Sequence, residues 1–204
     1  MAKAVGQPLH VQAPQPDPAR VFRILITTMI SPRTKDEVTD AAADRLLTLA
    51  PDAATLARLA QSRIARLIYP AGFYRTKAKA IRRTARVLME RFESRVPATM
   101  DELLELPGVG RKIASLVLSV GHGVDAICGD THVHRISNRM GWVATKDPYG
   151  TEQALRARLP RRYWAPINHL LVTYGKRICT PLSPRCSTCP VLSHCARVGV
   201  ERTR

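Results

Sequence analysis

The stretch Leu106-Pro-Gly-Val-Gly-Arg-Lys112 decides how this chain folds. Its proline opens a tight turn, and its two glycines permit positive φ and a close approach of the backbone. Apolar spacing predicts a helix over 101–106 before the turn and another over 113–120 after it. The amides of such a turn, with the N-terminus of the following helix, can bind a phosphate group. The stretch therefore predicts a helix pair joined by a phosphate-binding turn, with an ordinary helix–helix turn as the alternative.

The charge balance indicates a polyanionic partner. The 204 residues include 32 Lys and Arg against 16 Asp and Glu, a formal net charge of +16. Nucleic acid is the usual partner of so basic a chain, and an anionic membrane surface is the other candidate. The sequence shows neither an apolar run of roughly 20 residues, as a bilayer span requires, nor an apolar face to insert. Because Arg111 and Lys112 follow the turn directly, we interpret it as a helix-hairpin-helix that clamps the DNA backbone.

Helical periodicity extends over most of the chain and predicts an all-α protein. Val21, Leu25 and Met29 follow a four-residue spacing, and the same spacing over 59–67 predicts one helix there. No segment alternates as a half-buried strand does. Residues 1–18 are rich in Pro and Gln and are expected to be extended. Further helices are predicted over 36–49, 76–92 (with Thr76 as its cap), 131–140, 151–159 and 163–174.

A second turn, Tyr69-Pro-Ala-Gly-Phe-Tyr74, precedes a basic helix. Few acidic residues interrupt its cations, so one face should be strongly positive, either as a solvated face or as a DNA-facing one. Phe73 and Tyr74 are aromatic residues of the kind that wedge between or stack on bases, and a place in the hydrophobic core is the alternative. The cations are Arg75, Lys77, Lys79, Arg82, Arg83 and Arg86.

Four of the five cysteines crowd the C-terminus, where Cys179, Cys186, Cys189 and Cys195 read C-x6-C-x2-C-x5-C. Without a secretory signal, a disulfide knot is disfavoured. Zinc modules usually use two Cys pairs separated by a longer insert, whereas only one close pair exists here. The other two cysteines lie singly on either side of this pair, a spacing that suits a cluster in which each iron has one thiolate ligand. The spacing therefore favours an iron–sulfur cluster over a zinc ion. The fifth cysteine, Cys128, is expected to be a buried core residue.

Asp130 lies 18 residues after Lys112, at the start of Asp130-Thr-His-Val-His-Arg135. An Asp before Thr131 is well suited to cap a helix, and a cap fixes a carboxylate and keeps it ionised. The helix after the hairpin carries the chain away, and the connector that follows can bring it back. The sequence therefore predicts that Lys112 and Asp130 face a common cleft.

Together the glycine-rich turn, the Asp130 segment and the cysteine spacing resemble the endonuclease III family of helix-hairpin-helix DNA glycosylases, from about Phe22 to Cys195. The resemblance implies two α-helical domains that flank a DNA-binding cleft. One is a six-helix barrel over 19–124, which contains the helix-hairpin-helix. The other joins 1–18 to 125–204 and holds a 4Fe–4S cluster on the four cysteines.

The resemblance also implies an activity. Family members excise oxidised pyrimidines from duplex DNA and cleave the abasic site by β-elimination. On this pattern Lys112 is the nucleophile that forms a Schiff base and Asp130 is the essential carboxylate. Bacterial members commonly place Gln where Arg33 stands and often Leu where Phe73 stands. The DNA contacts implied are Arg33, Phe73, Tyr74, Lys77, Pro107, Gly108, Val109, Gly110, Arg111, His132, Arg135 and Arg185.

Two other functions are compatible with parts of this pattern. A monofunctional glycosylase for adenine or thymine mismatches would share the fold and the cluster, but such relatives generally lack a lysine at the Lys112 position. A non-catalytic helix-hairpin-helix module would bind DNA without needing the pairing of Lys112 with Asp130. We expect a monomer in the cytoplasm, associated with the nucleoid through DNA that contains damaged pyrimidines or abasic sites, and with no membrane partner.

Overall fold

The computed structural model describes residues 16–204, and within that range it contains helices, turns and loops but no strand. The all-α prediction is confirmed. Most of the extended segment predicted over 1–18 lies outside the described residues, and α1 begins at its end. The helices are α1 (Pro18–Ile30), α2 (Asp36–Leu49), α3 (Ala53–Arg58), α4 (Gln61–Ile68), α5 (Tyr74–Arg91), α6 (Met100–Leu104), α7 (Arg111–Leu116), α8 (Thr131–Arg139), α9 (Pro148–Arg158) and α10 (Trp164–Arg177).

Most predicted helices differ from the observed ones by one to three residues at an end, and three of these differences have a local cause. The helix predicted over 59–67 is observed as α4 but starts at Gln61, because Leu59 adopts an extended conformation that ends α3. Thr76 is not a cap, since α5 already starts at Tyr74 after a left-handed Phe73. The helix predicted over 151–159 starts three residues earlier, where the Asp147 side chain accepts a hydrogen bond from the Gly150 amide and a proline takes the first helical position.

The helices from α1 to α7 enclose the larger of two hydrophobic cores. The first helix is central and contacts α2, α5, α7 and the π-helical turn Val117–Gly121 that continues α7. Its inward face is fully buried, which is why its apolar residues recur every three to four positions. Fully buried members of this core include Leu25, Ile26, Ile30, Leu46, Leu56, Ile64, Ile68, Ile81 and Leu88.

A second, smaller core lies between α8, α9 and α10. It is formed by Ile127, Val133, Ile136, Leu155 and Leu171 with a few neighbours. The chain passes from the first core to the second over about 119–126, and this segment carries the backbone from the hairpin helix to Asp130. The exact domain bounds remain a prediction. No helix in the described part of the chain combines the length and the apolar character needed to cross a bilayer.

Candidate active site and cysteine cluster

The hairpin between α6 and α7 is held against α5. Gly108 has φ +82°, and a Cβ there would lie 2.8 Å from the Ala80 Cβ, so the turn needs glycine for both conformation and space. The buried Thr84 hydroxyl donates a 2.7 Å hydrogen bond to the Pro107 carbonyl. Val109 is buried beneath the turn, whereas Gly110 caps α7 with open space around it among the described residues. The turn is therefore rigid on its inner side and open on its outer side.

The structure brings Lys112 and Asp130 together. The Lys112 Nζ lies 3.4 Å from the Asp130 Oδ2, and the lysine side chain is 58% exposed while the carboxylate is only 2% exposed. The other carboxylate oxygen, Oδ1, accepts 2.9 Å hydrogen bonds from the His132 and Val133 amides, so the predicted N-cap of α8 is confirmed. One oxygen is fixed in the cap and the other faces the amine. The positive end of the α8 dipole stabilises the ionised carboxylate.

His132 and Arg135 are drawn into contacts within the protein. The Arg135 guanidinium donates to the Cys179 carbonyl at 2.9 Å and contacts the His132 Nδ1 at 3.2 Å. A Cβ at Gly175 would lie 2.4 Å from that Nδ1, so α10 packs closely over the pair. Burial lowers the pKa of His132 below its usual value, opposed by the Asp130 carboxylate. These two side chains connect the Asp130 segment to the start of the cysteine cluster.

Cys128 lies buried beside the hairpin helix, as expected for a core residue. Its thiol is 3.7 Å from the Lys112 carbonyl oxygen. Burial raises the pKa of Cys128 to about 12, with a further contribution from the Asp130 carboxylate. The thiol therefore stays protonated near neutral pH and supplies no nucleophile.

Arg33 and Phe73 form an exposed pair on two adjoining loops. The Arg33 guanidinium lies 5.3 Å from the centroid of the Phe73 ring, and Phe73 is 61% exposed. Both residues have positive φ, 54° and 57°. The alternative prediction, that Phe73 lies in the hydrophobic core, is wrong because its side chain is exposed. Tyr74 instead is half-buried, packs against the first core and meets the Tyr69 ring edge-on at 5.4 Å.

Lys77 holds these loops in place. Its ammonium group donates to the carbonyls of Ile30 and Pro32 and to the Thr34 hydroxyl. Burial lowers the pKa of Lys77. A Cβ at Gly72 would lie 2.4 Å from the Arg33 carbonyl oxygen, so the two loops touch through their backbones. A groove of about 400 Å³ runs from this pair to the hairpin, and its lining includes Met29, Arg33, Phe73, Lys77, Gly108 and Ile113.

The four C-terminal cysteines line one small apolar cavity of about 30 Å³, together with Ile136, Met140, Val191 and Leu192. The Tyr174 hydroxyl lies 2.7 Å from the Cys189 Sγ, and the Arg139 guanidinium donates to the Cys179 Sγ at 3.5 Å. Across residues 16–204, no set of three or more His, Cys, Asp or Glu side chains is placed to hold a single metal ion. Thiol ligands around an apolar cavity, with hydrogen-bond donors to sulfur, are the donor set of an iron–sulfur cluster.

Arg185 and its loop are exposed beside this cavity. The loop between Cys179 and Cys186 also carries Leu182, which is almost wholly exposed. Arg139 ties the base of the loop to α8 through hydrogen bonds to the Thr180 and Pro181 carbonyls. The loop therefore projects from a fixed base.

The structure adds two residues that sequence reasoning missed, Glu152 and Tyr149 of α9. The Glu152 carboxylate is buried and lies 3.1 Å from the Arg111 guanidinium, which also stacks 4.5 Å from the centroid of the Tyr149 ring. The only sequence signal was a Glu four residues before Arg156, a spacing that normally marks an exposed ion pair. Their relation to the hairpin depends on tertiary packing, which no local pattern reveals.

Comparison with known proteins agrees with this geometry. The HhH-GPD superfamily base excision DNA repair protein model matches residues 26–161. Endonuclease III of Thermotoga maritima is 47% identical over 174 residues, covering 85% of this chain and 82% of that protein. The chain belongs to the endonuclease III family. Endonuclease III-like protein 1 of Bos taurus is 42% identical over 184 residues, covering 88% of this chain and 60% of its own length.

Solved structures of endonuclease III share this fold. A trapped endonuclease III–DNA covalent intermediate, in an estranged-adenine complex, superposes with a TM-score of 0.82 at 32% identity, over 87% of this chain and 84% of that one. A thermostable thymine-DNA glycosylase has a TM-score of 0.81 at 23% identity, which shows a shared fold. The expectation of an endonuclease III fold is confirmed.

Proposed function

We propose that this endonuclease III family member is a bifunctional base excision repair enzyme that removes oxidised pyrimidines from duplex DNA and cleaves the resulting abasic site. The observation that carries the proposal is the 3.4 Å approach of the Lys112 amine to the Asp130 carboxylate beside the hairpin. A monofunctional glycosylase needs no amine at this position. A passive DNA-binding module needs neither the amine nor the carboxylate oxygen that the α8 cap leaves facing it.

Lys112 acts as the nucleophile in this proposal. The neutral amine attacks C1′ of an extruded nucleotide, and the bond from C1′ to the base breaks with its electron pair leaving on the base. The Asp130 carboxylate accepts a proton from the amine and stabilises the positive charge that develops on the sugar. The imine forms as the C1′–O4′ bond of the sugar ring breaks, with its electron pair and a proton going to O4′, and this imine acidifies the C2′ proton. Loss of this proton expels the 3′ phosphate, which cleaves the strand by β-elimination.

The hairpin and the two loops position the DNA. The open amides at Gly110 and Arg111 bind a phosphate at the start of α7, with Pro107, Gly108 and Val109 shaping the turn. The Arg33–Phe73 pair fills the space left by the extruded nucleotide, because it projects from loops already fixed by Lys77. Lys77 and Tyr74 therefore act through the loops that they hold, and His132 and Arg135 through the Asp130 segment.

The cysteine cavity is assigned to a 4Fe–4S cluster held by Cys179, Cys186, Cys189 and Cys195. When bound, such a cluster would cross-link the end of α10 to the C-terminal loops and would supply a centre for electron transfer. The Tyr174 hydroxyl and the Arg139 guanidinium stabilise the thiolates by hydrogen bonds. The exposed loop with Arg185 then reaches the DNA backbone from the cluster side, as the family resemblance implies.

The proposal also includes the domain bounds, the oligomeric state and the cellular location of the protein. The cores on either side of about 119–126 are taken as the barrel domain, 19–124, and the cluster domain, 125–204; most of the segment 1–18, which the resemblance adds to the cluster domain, lies outside the described residues. The groove from the Arg33–Phe73 pair to the hairpin is lined by the barrel domain and is assigned to its DNA-binding surface. The protein acts as a monomer on cytoplasmic, nucleoid-associated DNA.

Borohydride trapping tests the proposed reaction. The wild-type protein is incubated with a duplex that contains one abasic site, and borohydride reduces the imine to a stable protein–DNA adduct. Because Lys112 supplies the amine, the substitution Lys112→Gln should abolish both the adduct and strand cleavage while duplex binding persists. The products are separated by denaturing electrophoresis.

The matched control is Lys146→Gln, which removes an exposed lysine near the start of α9 and should leave trapping at the wild-type level. A Lys112→Gln protein that still forms the adduct would remove Lys112 from this role. A wild-type protein that releases a damaged base but leaves an abasic strand intact would identify the monofunctional alternative instead.

A further inference from the structure

Glu152 carries a buried carboxylate that the proposed reaction does not use. Its side chain is only 4% exposed, and it lies 3.1 Å from the Arg111 guanidinium and 3.6 Å from that of Arg156. A carboxylate is almost never buried unless it is paired, because loss of hydration penalises the charged form. The pair of Glu152 with Arg156 is an ordinary contact within α9. The pair of Glu152 with Arg111 joins α9 to the residue immediately before Lys112.

Arg111 is held on two sides by the same helix. Its guanidinium contacts the Glu152 carboxylate and also stacks 4.5 Å from the centroid of the Tyr149 ring, three residues earlier on α9. Arg111 is the first residue of α7, so this clamp fixes the start of the helix that carries Lys112. The contact crosses from the first hydrophobic core to the second.

Glu152 also packs against the backbone that carries the other reacting group. A Cβ added to Gly129 would lie 3.2 Å from the Glu152 Cβ and 2.5 Å from the Pro148 carbonyl oxygen. Gly129 immediately precedes Asp130, so the first turn of α9 lies directly against the segment that positions the carboxylate. Glu152 therefore contacts both chain segments of the Lys112–Asp130 pair, each one residue away from the functional group.

We propose that Glu152 is a positioning residue that sets the separation of Lys112 and Asp130 by fixing Arg111 on one side and Gly129 on the other. This inference rests on the proposed function. The Lys112 side chain is long and more than half exposed, so nothing in its own surroundings fixes the amine as firmly as the cap fixes Asp130. A displacement of about 1 Å in such a pair can lower a reaction rate by about 100-fold.

The substitution Glu152→Gln tests this role, because glutamine keeps the size of the side chain and removes the charge that holds Arg111. The rate is measured in a single turnover on an abasic duplex with saturating enzyme, and the dissociation constant for that duplex is measured separately. We expect the rate to fall by about 10-fold or more, while the dissociation constant changes by no more than about 2-fold. Thermal unfolding is recorded in parallel to confirm that both proteins are folded.

Arg156→Gln is the matched control. It removes the other cation that contacts the same carboxylate but leaves the Arg111–Glu152 pair in place. Because Arg156 is partly exposed and its pair with Glu152 lies within one helix, we expect its rate to stay within about 2-fold of the wild type. Equal losses in the two variants would indicate a general loss of structure and would overturn the proposal.

A folded Glu152→Gln protein with the wild-type rate would also overturn it. If that variant does not fold, Glu152→Asp decides, since it keeps the charge but withdraws the carboxylate from Arg111 by one methylene group. A lower rate with unchanged DNA affinity supports the positioning role, and an unchanged rate contradicts it. An inactive wild-type protein would instead contradict the proposed function, so the two failures are distinguishable.

Discussion

At the scale of single residues, Asp130 combines two physical roles in one side chain. Its Oδ1 accepts from two amides at the start of α8, and its Oδ2 faces the Lys112 amine. The cap fixes the carboxylate without help from the second oxygen. One oxygen therefore stabilises the start of α8 and the other faces the reacting amine. Substitutions can test these two roles independently.

The substitution Asp130→Asn should remove the chemistry and keep the fold. Asparagine caps helices about as well as aspartate, so the free energy of unfolding should fall by less than about 1 kcal/mol. The amide neither accepts a proton nor balances a cation, so single-turnover base excision should slow by about 100-fold or more. Denaturant unfolding and excision of an oxidised pyrimidine measure the two effects.

Asp130→Ala is the comparison for the cap. Losing both acceptors should lower the free energy of unfolding by about 1 kcal/mol or more, in addition to the same catalytic loss. An asparagine variant that excises the base at close to the wild-type rate would show that the carboxylate acts only as a cap.

At the scale of elements, the hairpin between α6 and α7 shows which of its glycines the fold requires. Gly108 has a left-handed conformation and lies against Ala80 on α5, whereas Gly110 has an ordinary φ of −100° and open space around it in the described structure. The two glycines look equivalent in the sequence. They differ because only one of them faces the neighbouring helix.

The pair Gly108→Ala and Gly110→Ala measures this difference. The first should lower the free energy of unfolding by about 1–3 kcal/mol, because Cβ meets both a positive φ and the Ala80 side chain. The second should change it by less than about 1 kcal/mol, since a weaker N-cap is offset by reduced freedom of the unfolded chain. Urea unfolding at one temperature compares them, and equal losses would contradict the assignment.

At the scale of the whole molecule, the two hydrophobic cores differ in how they are stabilised. The core of α1 to α7 is large and continuous, whereas the core of α8 to α10 is small and lies beside the cysteine cavity. A small core seldom provides enough apolar burial to be stable by itself, and a bound metal centre then adds its binding free energy to folding. We therefore expect the cluster to stabilise mainly the second core.

The substitution Cys186→Ser should lower bound iron and weaken only part of the molecule. Amide hydrogen exchange should speed up in α8, α9 and α10 while the interior of α1 and α5 stays protected. Cys128→Ser is the matched control, because Cys128 is buried by the hairpin helix and does not line the cysteine cavity; it should keep its iron. Full iron content in the Cys186→Ser protein, or zinc in the wild type, would contradict the cluster assignment.

The sequence by itself determined the helical class, most helices, the cap at Asp130 and the grouping of the four cysteines. These depend on local periods, capping chemistry and spacing, which are properties of neighbouring residues. Its errors at helix ends were local as well: the apolar spacing continues from Leu59 to Leu67, but the extended backbone of Leu59 delays the start of α4 to Gln61.

Only the tertiary structure decided how the other distant groups are arranged. The sequence predicts that Lys112 and Asp130 face a common cleft, and the structure supplies their 3.4 Å separation. The exposure of Phe73 beside Arg33, the hydrogen bonds of Lys77 to a neighbouring loop and the burial of Glu152 each depend on segments that are far apart in the chain. Local patterns carry no information on such contacts, because they are set by how helices pack around two cores. The physical reason is that burial and charge pairing are properties of the packed molecule.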